Sequence, residues 1–321
     1  MSLEATAVVF EQPEQLSLRR LVLNQPGPAD VRVDIHYAGI STGTERLLWT
    51  GKMPPFPGMG YPLVPGYESV GVILEAGPES GRQVGERVFV PGASCYGEVR
   101  GLFGGSASQV VVPGAKVVPI SEDLGEQGAL LALAATAYHA VFQGKAPETL
   151  APEALPDLIV GHGVLGRLVA RVVAAVGKPP TVWELDSERA KGAMGYEVVH
   201  PDADARRDYR CIVDVSGDSK ILDTLIARLG RGGEVVLAGF YSQPLSFVFP
   251  PAFMREARLR CAAEWVAGDL IEIKGLLESD RLCLDQLITH RFPAAQADEA
   301  YRIAFGDPQC LKMILDWRDM Q

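Results

Sequence analysis

Gly161-His-Gly-Val-Leu-Gly166 and Glu184 are the residues whose types and spacing speak most directly to chemistry. A short apolar run at 157–160 ends at the first glycine. Residues 167–176 continue from the last as a helix with few polar positions. Gly161 permits a tight strand-to-helix turn, Gly163 lets backbone approach a pyrophosphate, and Gly166 lets helix and strand pack closely. With Val164 and Leu165, they turn the free N–H groups and positive dipole end of a helix toward an anion. Residues 181–183 form a second short strand. Glu184 follows it, close to the spacing of about 20 residues at which an acid meets the adenosine ribose. A lone glycine pattern is weak; with strand, helix, strand and acid in place, it predicts a nicotinamide cofactor and hydride transfer.

A carboxylate at that position hydrogen-bonds a free 2′-hydroxyl and repels a 2′-phosphate. Asp186 and Glu188 add negative charge. Arg189, the one close base, is expected to lie against the adenine or to cap a helix. NAD is therefore expected in preference to NADP. Strand ends at Ser216-Gly217 and Gly239-Phe240 are expected around the nicotinamide, because open α/β sheets bind ligands at the carboxyl ends of their strands.

The elements that must position these groups fall into two textures. Up to about residue 125, short β-prone runs (5–10, 31–37, 71–75, 87–90 and 109–113) alternate with Gly and Pro, the pattern of a small barrel. An apolar helix from Gly128 then carries Thr136 and His139 toward the fingerprint. From 157 to about 275 strand and helix alternate, with 221–229 a helix stopped by Gly230-Arg-Gly-Gly233. The tail, including Leu287-Ile-Thr-His290, returns to the first texture. The expected division is 1–135 with 276–321, and 136–275.

The chain has 321 residues, 47% apolar and 22% charged, ordinary for a globular protein with a sizeable core. A net charge of −10 argues against nucleic acid as a partner. The start lacks the basic and apolar stretches of a signal peptide, and no run is long enough for a transmembrane segment, so a cytoplasmic protein is expected. Five scattered cysteines without a CxxC spacing argue against disulfides and Cys-rich zinc, and are expected as buried free thiols.

Ala38-Gly-Ile-Ser-Thr-Gly-Thr-Glu45, Val64-Pro-Gly-Tyr-Glu-Ser-Val-Gly71, Gly85-Glu-Arg-Val88, Ala135-Thr-Ala-Tyr-His139 and Leu287-Ile-Thr-His290 carry a resemblance to the medium-chain dehydrogenase/reductase superfamily. It covers essentially the whole chain. It implies a GroES-like β-barrel catalytic domain, a Rossmann doubly wound parallel sheet, Thr136 at the cofactor, and a homodimer. Zinc members carry ligands where this chain has Ser41, Tyr67 and about Ala132. Hydroxyl, phenol and methyl groups make no tight zinc site, so no metal is expected. The stretch from Ser41 to Gly71, with Val99-Arg-Gly-Leu-Phe-Gly-Gly-Ser106, is similar to a narrower family. Its members oxidise the C3 1-hydroxyethyl group of a bacteriochlorophyllide to acetyl.

The resemblance implies that the residues standing where zinc ligands would be take over its work. Tyr67 would hydrogen-bond the alkoxide or take its proton, the latter only beside positive charge from nicotinamide, Arg46 or Lys52. Alternatively it merely fills the vacated space. His139 would relay a proton or simply pack. Ser41 and Thr44 would complete a hydroxyl chain or cap a helix starting near Glu45, and Glu68 would orient its neighbours. The loop bearing Trp49, Met53, Phe56, Met59 and Tyr61 suits either the flat face of a macrocycle or a small core covering the barrel. Two other readings stay open: a zinc-free NAD(P)H-dependent reductase of C=C bonds, and a tetrapyrrole carrier without turnover.

Overall fold

In the computed structural model the described residues are 2–55, 58–147, 151 and 154–320. The chain forms two units, Met1–Ala132 with Leu287–Gln321, and Leu133–Gln286. Each has its own core.

The β-prone runs of the first unit become strands. They are β1 (Glu4–Gln12), β2 (Gln15–Val22), β3 (Asp30–Ile40), then helix α1 (Thr44–Trp49), β4 (Leu63–Val64), β5 (Ser69–Ala76), β6 (Arg87–Val90), β7 (Arg100–Gly101), β8 (Gln109–Pro113) and β9 (Val118–Pro119). Helix α2 (Leu131–Phe142) carries the chain into the second unit.

The second unit contains β10 (Leu158–Val160), α3 (Val164–Val176), β11 (Thr181–Trp183), β12 (Glu197–Val199), β13 (Tyr209–Asp214), α4 (Leu222–Arg228), β14 (Leu229–Leu237), α5 (Phe249–Arg255), β15 (Arg258–Cys261) and α6 (Ala267–Glu278). The tail adds β16 (His290–Pro293), α7 (Ala297–Gly306) and β17 (Met313–Asp316) to the first unit.

First-unit strands make two sheets, ordered β2-β1-β4-β7 and β16-β17-β3-β5-β6-β9, with β8 also on β3. Most pairings are antiparallel, and Val8, Phe10, Val33, Ile35 and Trp317 lie fully buried in one core. β17 pairs with β3, so the tail completes a sheet begun near the N-terminus. Joining β1 to β2 makes a hairpin whose second strand the sequence did not single out, because its outward residues Ser17, Arg19 and Arg20 dilute the apolar signal.

Second-unit strands are all parallel, in the order β12-β11-β10-β13-β14-β15. This is the doubly wound order, reversing between β10 and β13. Leu158, Ile159 and Val160 are all buried, as a strand covered on both faces requires.

Two details differ from expectation. Residues 230–233 are not a separate turn but lie within β14, where the ladder to β13 is irregular between Tyr209 and Cys211. A Cβ on Gly233 would stand 2.9 Å from the Tyr209 carbonyl, so the glycine permits that close approach. Residues 276–286 also stay with the second unit. Leu276, Leu282 and Leu284 are buried, and the Arg171 guanidinium on α3 donates to the carbonyls of Cys283 and Asp285 at 2.8 and 2.9 Å.

Candidate functional site

The dinucleotide turn sits at the carboxyl end of β10. Gly161 has φ +102°, a conformation L side chains rarely adopt, and a Cβ on Gly166 would stand 1.9 Å from the Gly161 carbonyl oxygen. Gly163 is the N-cap of α3, and nothing lies within 4 Å of where its Cβ would be. The first turn of the helix, Val164 and Leu165, therefore starts at a bare backbone cradle of the kind that receives a pyrophosphate. Gly161 lies against the backbone of Ser216 across the point where strand order reverses. Gly217 and Gly239 are adjacent, with the Phe240 carbonyl close to Gly217. The structure thus gathers Ser216, Gly217, Gly239 and Phe240 at one crevice.

Their support was not legible beforehand. Buried Asp214 accepts the Ser216 N–H at 2.9 Å and the Tyr241 hydroxyl at 2.6 Å, and its carbonyl accepts the Gly239 N–H. Burial raises the Asp214 pKa, while Tyr241 and Ser216 pull it down.

Glu184 follows β11. Its Oε1 accepts the N–H groups of Leu185 and Asp186 at 2.8 and 3.0 Å, and its Oε2 accepts the His162 N–H at 3.0 Å. The carboxylate is thereby fixed at the turn. Arg189 caps no helix: residues 187–190 form turns, and its N–H donates to Asp186 Oδ1.

On α2, every position is buried except Thr136 and His139. Three residues apart, they share one face. His139 Nδ1 lies 2.8 Å from Oδ2 of fully buried Asp269, which also accepts the Val266 N–H at the start of α6. A carboxylate that orients one ring nitrogen leaves the other for proton exchange.

The first unit holds a second cluster. Tyr67 Oη and Ser41 Oγ are 2.6 Å apart, and Thr44 is a further hydrogen-bond partner of the phenol. The Tyr67 ring is half-buried, with the edge of Phe103 5.0 Å away. Burial, then the charge of Glu68, pushes the Tyr67 pKa well above that of a free phenol. Tyr67 is therefore a hydrogen-bond donor at neutral pH, not a base, and the acidic neighbours oppose the positive field that a base would need. Ser41 and Thr44 do not cap α1, whose N-cap is Gly43. Ser41 instead gives its N–H to Glu45 Oε1 at 3.2 Å.

Beneath them, Glu45 and Glu68 are fully buried. Glu68 Oε2 lies 2.5 Å from Lys312 Nζ, itself fully buried and also donating to the Ile40 carbonyl. Glu45 Oε2 accepts the Tyr301 hydroxyl at 2.7 Å. Glu68 alone is paired with the ammonium, and the Lys312 charge acts on Glu45 only as a minor influence. Burial above all raises the Glu45 pKa from 4.5 to about 8, with Glu68 adding to the rise and Tyr301 opposing it.

This carboxyl makes stability pH-dependent. From about pH 4.5 to 8 the folded chain keeps a proton that the unfolded chain has lost, so stability falls as pH rises through that window and levels off above it. The slope is at most about 1.4 kcal/mol per pH unit. Urea midpoints at pH 5.5, 7 and 8.5 should show the fall, and Glu45→Gln should flatten it; an equal slope in both proteins would refute the assignment.

Zinc does not fit here. Ser41 and Tyr67 hydrogen-bond each other, Ala132 offers a methyl, and among the described residues no group of three His, Cys, Asp or Glu could hold a metal ion. The aromatic loop also needs correction. Trp49 is buried in the barrel core, its ring 5.4 Å from Phe10 and stacked 6.3 Å from Tyr301. Tyr61 donates its hydroxyl to the Leu48 carbonyl and, with Met53 and Met59, packs half-buried on the same core. Phe56 lies outside the described residues. α1 turns Leu48 and Trp49 inward, which single-sequence inspection of a Pro- and Gly-rich loop does not reveal. The cysteines are free; Cys95, Cys211 and Cys310 are buried, but Cys261 is exposed.

Comparison with known proteins agrees with this geometry. Residues 27–122 match the alcohol dehydrogenase GroES-like domain. An alcohol dehydrogenase from Escherichia coli CFT073, solved with NADH, shares the fold with a TM-score of 0.82 at 23% identity, over 98% of this chain and 99% of that one. 2R,3R-butanediol dehydrogenase from Bacillus subtilis does so at 0.81 and 19%, over 97% and 99%. The 2-desacetyl-2-hydroxyethyl bacteriochlorophyllide A dehydrogenase of Cereibacter sphaeroides is 55% identical over 98% of this chain and 99% of its own length. That of Rhodobacter capsulatus is 56% identical over 99% of both. With a GroES-like first unit, a doubly wound second unit and this identity along nearly its whole length, the chain belongs to the 2-desacetyl-2-hydroxyethyl bacteriochlorophyllide A dehydrogenase family of medium-chain dehydrogenases.

Proposed function

We propose that this protein oxidises the C3 1-hydroxyethyl group of a bacteriochlorophyllide to acetyl and passes the hydride to NAD. The observation that carries the reading is the identity of 55–56% along nearly the full length to dehydrogenases of that name. A C=C reductase has no comparable support.

Oxidising a secondary alcohol removes a hydride from carbon and a proton from oxygen. NAD, when bound, supplies the hydride acceptor. Its pyrophosphate would lie on the bare N-terminus of α3, its adenosine ribose at Glu184, and its nicotinamide by Thr136, Ser216, Gly217, Gly239 and Phe240. Tyr67, kept neutral, donates a hydrogen bond to the substrate oxygen and stabilises the charge that develops there. Ser41 and Thr44 hold the phenol in place by hydrogen bonds, and the departing proton passes to water. Glu68 holds this cluster through Lys312. His139, on the same helix face as Thr136, is oriented by Asp269. Met53 and Met59, half-exposed, are the part of the aromatic loop left to meet a flat macrocycle.

A homodimer is supported by exposed Phe249, Phe253 and Met254 beside β15, the edge of the six-stranded sheet. The net charge of −10 opposes nucleic acid. Among the described residues no helix is long and apolar enough to cross a membrane, in keeping with a cytoplasmic enzyme.

The test is an absorbance time course with NAD and the hydroxyethyl bacteriochlorophyllide, in chelator. A new carbonyl in conjugation with the ring should shift the long-wavelength band to the red as NADH forms. Loss of the shift on chelation would return a metal to the reaction. No shift despite bound NAD would reject the substrate.

A further inference from the structure

Arg167 directly follows the glycine turn and is 4% exposed. Its guanidinium donates to main-chain carbonyls. Nε reaches His162 at 3.0 Å, Nη1 reaches Gly192 at 3.0 Å, and Nη2 reaches Arg189 and Lys191 at 2.9 and 2.7 Å. Gly192 has φ +75°, and a Cβ there would stand 2.8 Å from Nη1. The glycine therefore lets loop and guanidinium meet.

His162, the second residue of the turn, grips the same loop. Its Nδ1 lies 2.6 Å from the Arg189 carbonyl and its Nε2 lies 2.8 Å from the Tyr196 hydroxyl. Burial lowers its pKa to about 4, with Arg167 adding to the fall, so the ring is neutral. Nδ1 must donate to the carbonyl, and Nε2 accepts from the phenol.

These bonds close a ring around the ribose acid. Glu184 accepts from His162 and Asp186, Asp186 Oδ1 accepts the N–H groups of Glu188 and Arg189, and the Arg189 carbonyl returns to Arg167 and His162. Lys191, exposed on the same loop, is ion-paired with Glu188 at 2.6 Å.

We propose that Arg167 and His162 form a bracket that presets loop 184–192 to receive the adenosine ribose of NAD and to exclude NADP. They are positioning residues, reaching the cofactor through Glu184. The proposal rests on the NAD reading above. A loop fixed before binding loses no ordering entropy on binding, and Glu184 cannot swing away from a 2′-phosphate.

The experiment is calorimetric titration of NAD, NADP, ADP-ribose and nicotinamide mononucleotide into the full-length protein. The variants are Arg167→Met, Arg167→Lys and His162→Asn. Arg167→Met should weaken NAD and ADP-ribose about tenfold or more, leave nicotinamide mononucleotide unchanged, and lower the preference for NAD over NADP about fivefold. Arg167→Lys keeps the charge but not the fork and should resemble Arg167→Met. His162→Asn keeps only the Nδ1-side donor and should weaken NAD by about threefold; it serves if Arg167→Met does not fold. Unchanged affinity and preference at full stoichiometry, or a lowered Tm with the preference intact, would overturn the bracket. Failure of the parent protein to bind NAD would overturn the cofactor reading instead.

Discussion

Replacing Tyr67 by phenylalanine is expected to lower kcat about 10²–10³-fold while leaving NAD affinity unchanged. The proposed reaction develops charge on the substrate oxygen, and removal of one preorganised donor to such an oxygen has effects of this size. The packing survives the change, since the ring keeps its edge contact with Phe103. What is lost is the hydroxyl bonded to Ser41. Turnover at saturating NAD and bacteriochlorophyllide, set beside an NAD titration, separates the two effects. A kcat within about threefold of the parent would leave Tyr67 as filler for the space that zinc ligands occupy elsewhere in the superfamily.

The largest stability effect belongs to Lys312. Substitution by methionine should destabilise the protein by about 3–5 kcal/mol, because Glu68 would be left as an unpaired carboxylate with no exposed surface. The loss is the penalty of the stranded charge more than the worth of the pair. The double substitution Lys312→Met with Glu68→Gln should therefore recover much of it. Chemical denaturation of the parent, both single variants and the double variant forms the cycle. A single variant within about 1 kcal/mol of the parent would show that water reaches the site. Burial already raises the Glu68 pKa, and Lys312 is what opposes the rise. Without Lys312 that rise is unopposed, so the penalty of the single variant should shrink as pH falls and Glu68 takes up a proton.

What was legible in the chain follows the range of each interaction. The dinucleotide turn could be read because its glycines, strand and acid lie within one βαβ unit, where local sterics dictate each residue. The early β-runs could be read because Gly and Pro punctuate them. Glu68 could be suspected of orienting something, but Lys312 stands far away in the chain, and only the register of β17 on β3 brings them together. Trp49 misled for a related reason: an aromatic in a Pro- and Gly-rich stretch suits a ligand face, yet α1 turns it into the core. The Arg167 bracket is close in sequence but uses main-chain carbonyls, and these carry no residue signature. Asp269 gave no local sign of its partnership with His139 across the fold of the second unit.

The division of the first unit into two stretches has a consequence for biosynthesis. Residues 133–286 leave the ribosome before β17 does, so the Rossmann unit can fold while the barrel is still missing a strand. Until then β3 lacks its β17 partner and Glu68 lacks the ammonium of Lys312. Completion of the barrel therefore waits for β17 to emerge and pair with β3. Truncation at residue 311 should yield chains whose second unit is folded and whose first unit is held open along one β-edge.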